Sequence, residues 1–235
     1  MSRPLLYGHR GASAHALENT LGAFARARSD GADGIELDVR LSADGELVVF
    51  HDEDLERIAG RPGRVADMSW RELAAVPLPG GERIPRLDEV LSATDPMLVN
   101  VEIKQPGWRS LREVVRAVAA SVARTRARDR VLVSSFDPAA VALVRRATDL
   151  RCGLLFHARQ RLLLRRAWLA PIIRPHALHP ERVLVDAASL ASWRVRGQIV
   201  NVWTVDAPAE LRRLAGLGVD GIITNDPAAA AAVLG

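Results

Sequence analysis

The chain has 235 residues, 49% apolar and 26% charged, with a formal net charge of +4. That is the balance of an ordinary globular protein, able to bury roughly 70–75% of its unfolded surface. No run of about 18 apolar residues occurs, which excludes a membrane-spanning helix. The 31 arginines behind a pI near 10.3 are scattered rather than striped, which argues against a nucleic-acid partner.

The N-terminus, MSRPLLYGHRG, has no apolar signal-peptide region and runs straight into a strand pattern, LLYGH (5–9). The further strand patterns are GIELDVRL (34–41), MLVNVEIK (97–104), VLVSSF (131–136), GLLF (153–156), ALHP (177–180), IVNVWTVD (199–206) and GIITND (221–226). Helical patterns such as TLGAFARARS, SLREVVRAVAASVARTRA, PAAVALVRRAT and PAELRRLAGLG alternate with them, several opening on Asp, Ser or Pro. Eight strands alternating with helices imply a parallel sheet, and about 30 residues per unit fits a closed (β/α)8 TIM barrel over a single domain, 1–235. An open doubly wound sheet is the competitor, but no glycine-rich phosphate loop follows the first strand. Residues 52–83 break the alternation and read as a small insertion after the second strand, over one end of the barrel. One cysteine, Cys152, can form no internal disulfide, so a reducing compartment, the cytoplasm, is expected.

Residues two apart on a strand share a face. Glu36 and Asp38 therefore point together, as do Glu102 and Lys104, while Ile35, Leu37, Val39, Val101 and Ile103 face the other way. Inside a barrel mouth, three carboxylates would cost several kcal/mol each if unpaired. One divalent cation, Mg²⁺ or Ca²⁺ (Mn²⁺ also suits the donors), satisfies them; an internal salt-bridge cluster with Lys104 is the competing reading. Lys104 is also the only lysine in the chain. His9 sits at the C-terminal end of the first strand, where barrel active sites lie. His51 is expected beside it: if Asp44-Gly45 forms a two-residue hairpin loop, Ala43 faces Glu46 and Asp38 faces His51.

Other residues carry two readings. Asn19 or Thr20 is either an N-cap or, with Glu18, a contact of the site. Phe136 and Trp203 are core or pocket aromatics, and His179 reads as structural. His15, His157 and His176 belong to no constellation. ARQRLLLRRAWLAPIIRP (158–175) is either a barrel-covering helix with a solvated arginine face or a basic amphipathic segment for peripheral contact with an anionic membrane.

The blocks GHRGASAHALENT, GIELDVRLSADGELVVFHD, IPRLDEVL, NVEIK, SSFD, NVWTVD and GVDGIITNDP, in that order along nearly the whole chain, resemble the glycerophosphodiester phosphodiesterase family. The resemblance implies a TIM barrel with an insertion after its second strand. It also implies hydrolysis of a small glycerophosphodiester, such as glycerophosphocholine or glycerophosphoethanolamine, to sn-glycerol 3-phosphate and an alcohol. By the same resemblance His9 and His51 are an acid–base pair, and Glu36, Asp38 and Glu102 hold the metal. Arg10 and Lys104 contact the phosphate, and Trp203 lines the glycerol side. Leu17 stands where the family has proline before ENT, and Ile58-Ala59 replace its threonines after LER, a departure that bears on the insertion's geometry. A lipid-cleaving barrel, which would need an apolar surface around the mouth, and a non-catalytic phosphate-binding module are the rival classes. The order of acid and base, direct water attack against a cyclic phosphate, the head group and the oligomeric state are open at the level of sequence.

Overall fold

The computed structural model describes residues 3–104, 111–162 and 167–235. Its strands are β1 (Leu5–His9), β2 (Gly34–Leu41), β3 (Leu47–Val49), β4 (Leu98–Ile103), β5 (Val131–Ser135), β6 (Arg151–Phe156), β7 (Ala177–Pro180), β8 (Ile199–Val202) and β9 (Gly221–Thr224). All except β3 pair in parallel, and pairing of β1 with both β9 and β2 closes them into an eight-stranded barrel. The expected (β/α)8 architecture is the one observed. Among the described residues the helices are α1 (Leu21–Ser29), α2 (Glu56–Ala59), α3 (Trp70–Ala74), α4 (Leu87–Ala93), α5 (Leu111–Arg124), α6 (Pro138–Ala147), α7 (Ala170–Ile173), α8 (Ala187–Arg194), α9 (Pro208–Leu217) and α10 (Pro227–Leu234).

The helix starts follow their sequence signals. Thr20 Oγ1 accepts from Ala23 N at 3.2 Å, Asp137 from Ala139 N at 2.8 Å and Asp226 from Ala229 N at 3.0 Å. Each removes an orphan donor from a first turn. Thr20, not Asn19, is therefore the cap of α1. The outward strand face carries the core: Ile35, Leu37, Val39, Val101 and Ile103 are buried, as are Val114, Val118 and Val122 of α5. Each such side chain contributes roughly 1.5–3 kcal/mol.

Parallel register places the charged pairs side by side. His9 is in register with Glu36 across β1 and β2, and Asp38 with Glu102 across β2 and β4. The hairpin differs from expectation. Ser42 N donates to Glu46 O at 2.9 Å and Gly45 takes φ +82°, so the loop has three residues, 43–45, rather than two. Asp44 drives this: its carboxylate accepts from Ser42 Oγ and from Trp70 N of the insertion, and glycine supplies the left-handed position such loops need. The pairs are Val39–Val49 and Leu41–Leu47, and Phe50 N donates to Asp38 O at 3.0 Å. Phe50 thus takes the place predicted for His51, which lies one residue beyond.

The insertion holds α2, α3 and short 3₁₀ turns around its own small core of Val48, Phe50, Leu55, Val65, Leu73, Val76, Leu78 and Ile84. Of the basic apolar stretch 158–175, residues 163–166 lie outside the described residues. Among the rest, Trp168 and Ile172 are exposed while Ala167 and Ala170 pack inward. No described helix is long and apolar enough to cross a membrane.

Candidate active site

The C-terminal strand ends supply the site. His9 ends β1 and Arg10 follows it; Glu36 and Asp38 come from β2, Glu102 from β4, with Lys104 just after it. His51 arrives from the loop after β3, where Arg40 Nε donates to its carbonyl at 2.8 Å. Trp203 follows β8. A cavity of about 170 Å³ is lined by His9, Arg10, Glu36, His51, Glu102, Lys104 and Trp203, together with Phe136, Leu155, Thr204 and Ile223. Asp38 is in contact with two of the lining residues, Arg10 and Lys104, so all eight residues singled out from sequence meet in one place.

One oxygen from each of Glu36, Asp38 and Glu102 lies within 4.8 Å of the others. All three residues are almost wholly buried, at 3%, 0% and 6% exposure. Burial, reinforced by Asp38, pushes the Glu36 carboxyl up to about 8. Burial also pushes Glu102 up to about 8, against the pull of Lys104. Burial acts on Asp38 too, but Lys104 and Arg10 outweigh it and hold this carboxyl well below the usual range. Lys104 Nζ donates to Glu102 Oε1 at 2.7 Å and lies 2.9 Å from Asp38 Oδ1. Arg10 N donates to Glu36 Oε2 at 3.1 Å, and Arg10 Nε lies 3.2 Å from Asp38 Oδ2. The salt-bridge cluster is therefore real but leaves two carboxyls that favour a proton. Where buried carboxyls favour a proton, a cation can take its place, and three hard oxygen donors suit Mg²⁺, Ca²⁺ or Mn²⁺. The residues fit a divalent metal and could hold one.

The loop before α1 is shaped for this mouth. Arg10 and Asn19 both take left-handed backbone, at φ +55° and +59°, and Asn19 N donates to Arg10 O at 3.0 Å. A Cβ on Gly11 would come within 2.6 Å of the Ala23 backbone, so only glycine fits between Arg10 and α1. With Thr20 capping the helix, Asn19 is free to donate from Nδ2 to Asp38 Oδ2 at 2.8 Å. Glu18 takes the site reading as well: it accepts from Arg10 Nη1 at 2.9 Å and from both terminal nitrogens of Arg57 in α2, at 2.9 and 2.8 Å.

Both histidines have a partner on Nδ1. His51 Nδ1 is 2.6 Å from Asp52 Oδ1, and the other Asp52 oxygen accepts from Arg57 Nε at 2.6 Å. His9 Nδ1 is 2.7 Å from Asn225 Oδ1, and its Nε2 is 3.9 Å from Glu36 Oε2. Burial lowers both imidazoles from their ordinary range, with Arg10 adding to the effect at His9. Phe136 meets Trp203 edge-on, centroids 5.3 Å apart at 88°, and Trp203 Nε1 donates to His179 O at 2.7 Å. His179 is fully buried inside the barrel, its imidazole pushed down to about 3 by burial, in line with a structural role. Sequence reasoning did not single out Asp52, Arg57, Asp206 or Asn225. Asp52, Asp206 and Asn225 stand in the HD, NVWTVD and TNDP blocks, but a block does not say which neighbour a side chain will meet.

An eight-stranded parallel barrel carrying a buried acidic triad and two histidines at its C-terminal mouth is a TIM-barrel protein with a candidate metal centre. The matching family model, that of the glycerophosphoryl diester phosphodiesterase family, covers residues 9–229. The chain belongs to that family. It is similar to a glycerophosphodiester phosphodiesterase of Caldanaerobacter subterraneus subsp. tengcongensis, 35% identical over 236 residues, covering 96% of this chain and 95% of that one. Among solved structures it resembles the glycerophosphodiester phosphodiesterase of Thermotoga maritima, with TM-score 0.80 and 33% identity over 97% of each chain. An Oleispira antarctica phosphodiesterase, solved in complex with the product sn-glycerol-3-phosphate, shares the fold with TM-score 0.89 at 24% identity, covering 98% of this chain and 96% of that one.

Proposed function

We propose that this protein hydrolyses glycerophosphodiesters of the glycerophosphocholine and glycerophosphoethanolamine kind to sn-glycerol 3-phosphate and an alcohol. The observation that carries the reading is one cavity lined by two histidines, Glu36, Glu102, Arg10 and Lys104, with Asp38 completing the acidic triad beside it. Family membership supports the same reading.

Glu36, Asp38 and Glu102 would hold a divalent cation, which when bound supplies positive charge beside the phosphoryl oxygens. Arg10 and Lys104 add fixed charge there, the dominant contribution in phosphoryl transfer. Trp203, held by its bond to His179 O and braced by Phe136, forms the apolar wall for the glycerol carbons. The histidines divide the proton work by their partners. Asp52, a carboxylate, pulls His51 towards its charged form against the burial, Lys104 and Arg10 that lower it, which makes His51 the ring placed to donate to the departing alkoxide. Asn225, a neutral amide, orients His9 as the base that takes a proton from the nucleophile. Each transfer typically contributes 10²–10⁴-fold. The buried free thiol of Cys152 fits a cytoplasmic, reducing setting.

The test is a coupled assay for sn-glycerol 3-phosphate released from glycerophosphocholine and glycerophosphoethanolamine, with Mg²⁺ or Ca²⁺ and with EDTA. Release that EDTA abolishes and metal restores is expected. Release unaffected by exhaustive chelation removes the metal assignment, and no release from either diester removes the activity.

A further inference from the structure

We infer that Asp206 is a positioning residue for His9, acting through Asn225 to keep the ring proton on Nδ1 and leave Nε2 bare towards the cavity. The inference rests on the reading of His9 as the base.

Asp206 follows β8 and Asn225 follows β9, so the relay spans two adjacent strand ends. Asn225 Nδ2 donates to Asp206 Oδ2 at 2.6 Å, and Asn225 N to Asp206 Oδ1 at 2.8 Å. Thr224 Oγ1 donates to Asp206 Oδ1 as well, at 2.9 Å. A carboxylate only accepts, so the amide group of Asn225 must turn its NH₂ towards Asp206. Its oxygen then faces His9 Nδ1 at 2.7 Å and accepts from Ser13 Oγ at 2.9 Å. An amide oxygen carries no proton, so the proton between Asn225 and His9 belongs to Nδ1. The opposite flip would set an amide oxygen against a carboxylate oxygen with no hydrogen between them. It would also press NH₂ onto Nδ1 and move the ring proton to Nε2, the atom 3.9 Å from Glu36.

The intervening amide has a physical reason. A carboxylate in direct contact with Nδ1 would favour the charged ring, which cannot act as a base, whereas a neutral amide does not. Asn225 passes on the orientation that Asp206 imposes without passing on its charge. In other histidine enzymes an orienting carboxylate sets the ring tautomer, and losing it costs rate while geometry survives.

The experiment is long-range ¹H–¹⁵N correlation NMR of the histidine rings in the metal-free full chain, with the His9 signals identified by their loss in His9→Ala, alongside steady-state kinetics of the metal-loaded enzyme. The wild-type ring should carry Nδ1–H. Asp206→Asn should shift His9 to a mixture or to Nε2–H and lower kcat about ten- to a hundredfold with KM little changed. The double swap Asp206→Asn with Asn225→Asp should restore Nδ1–H, because residue 225 then presents a carboxylate oxygen to the ring. Thr224→Val, which removes a bond to Asp206 but not to Asn225, should leave the tautomer alone. An unchanged tautomer or a wild-type kcat in Asp206→Asn overturns the inference. If His9→Ala keeps the wild-type kcat, the reading of His9 as base fails instead, and the tautomer shift separates the two failures.

Discussion

Loading the acidic triad with a divalent cation should expel protons. Glu36 and Glu102 are both pushed up to about 8. At pH 7 a carboxyl of that pKa is about nine-tenths protonated. A divalent cation takes carboxylates, so binding must release what these groups carry. Asp38, held low by Lys104 and Arg10, contributes none. The expected release at pH 7 is therefore about two protons per cation, or about one if the two glutamates share a single proton. Affinity should rise about ten- to a hundredfold per pH unit between about pH 6 and 8 and level off above. Calorimetric titration of the metal-free protein with Mg²⁺, repeated in buffers of different ionisation enthalpy, counts the protons from the slope of observed heat against buffer heat. Tight binding with no proton release, or affinity independent of pH across that range, would show both glutamates ionised in the metal-free protein and refute the reasoning.

The same pair sets a stability trend in the metal-free protein. Both folded-state values lie above the ordinary 4.5, so their contribution is present below about pH 4.5 and lost as pH rises towards 8. In EDTA, wild type should lose Tm relative to Glu102→Gln between about pH 5 and 8; a constant difference counts against it. His9→Ala and His51→Ala should each lower kcat at least about 10²-fold, with the double variant little worse than either, because both act on one transition state. Near wild-type kinetics in either removes that residue from the mechanism. Lys104→Met should tighten metal binding, because Nζ contacts two of the three carboxylates, yet lower kcat/KM by about 10². Lys104→Arg should also lose most activity, since a guanidinium would clamp those carboxylates bidentately and weaken the metal; wild-type kcat/KM would show the lone lysine to be an accident of composition. Thr20→Ala should cost about 1 kcal/mol in thermal or denaturant unfolding, and no loss would mean that α1 is held by packing alone.

Periodicity sufficed for the barrel, because eight short apolar runs separated by helical patterns have few other ways to bury both faces of a parallel sheet. It also sufficed for the shared faces of Glu36 with Asp38 and of Glu102 with Lys104, since alternation is a property of any extended strand. Which strands stand side by side, and in what register, is not local information. Tertiary structure decided that His9 meets Glu36, and Asp38 meets Glu102, across neighbouring strands. It also decided the hairpin, where a distant group, Trp70 N, binds Asp44 and a three-residue loop replaces the two-residue one. Thr20 and Asn19 were equal candidates for one cap until the helix start was placed, after which Thr20 caps and Asn19 reaches Asp38. The partners of the two histidines, Asp52 one residue away and Asn225 at the far end of the chain, show the limit most plainly. A sequence records which donors and acceptors exist, but a hydrogen bond forms only within about 3 Å, and only the closed barrel brings residues 9 and 225 that near.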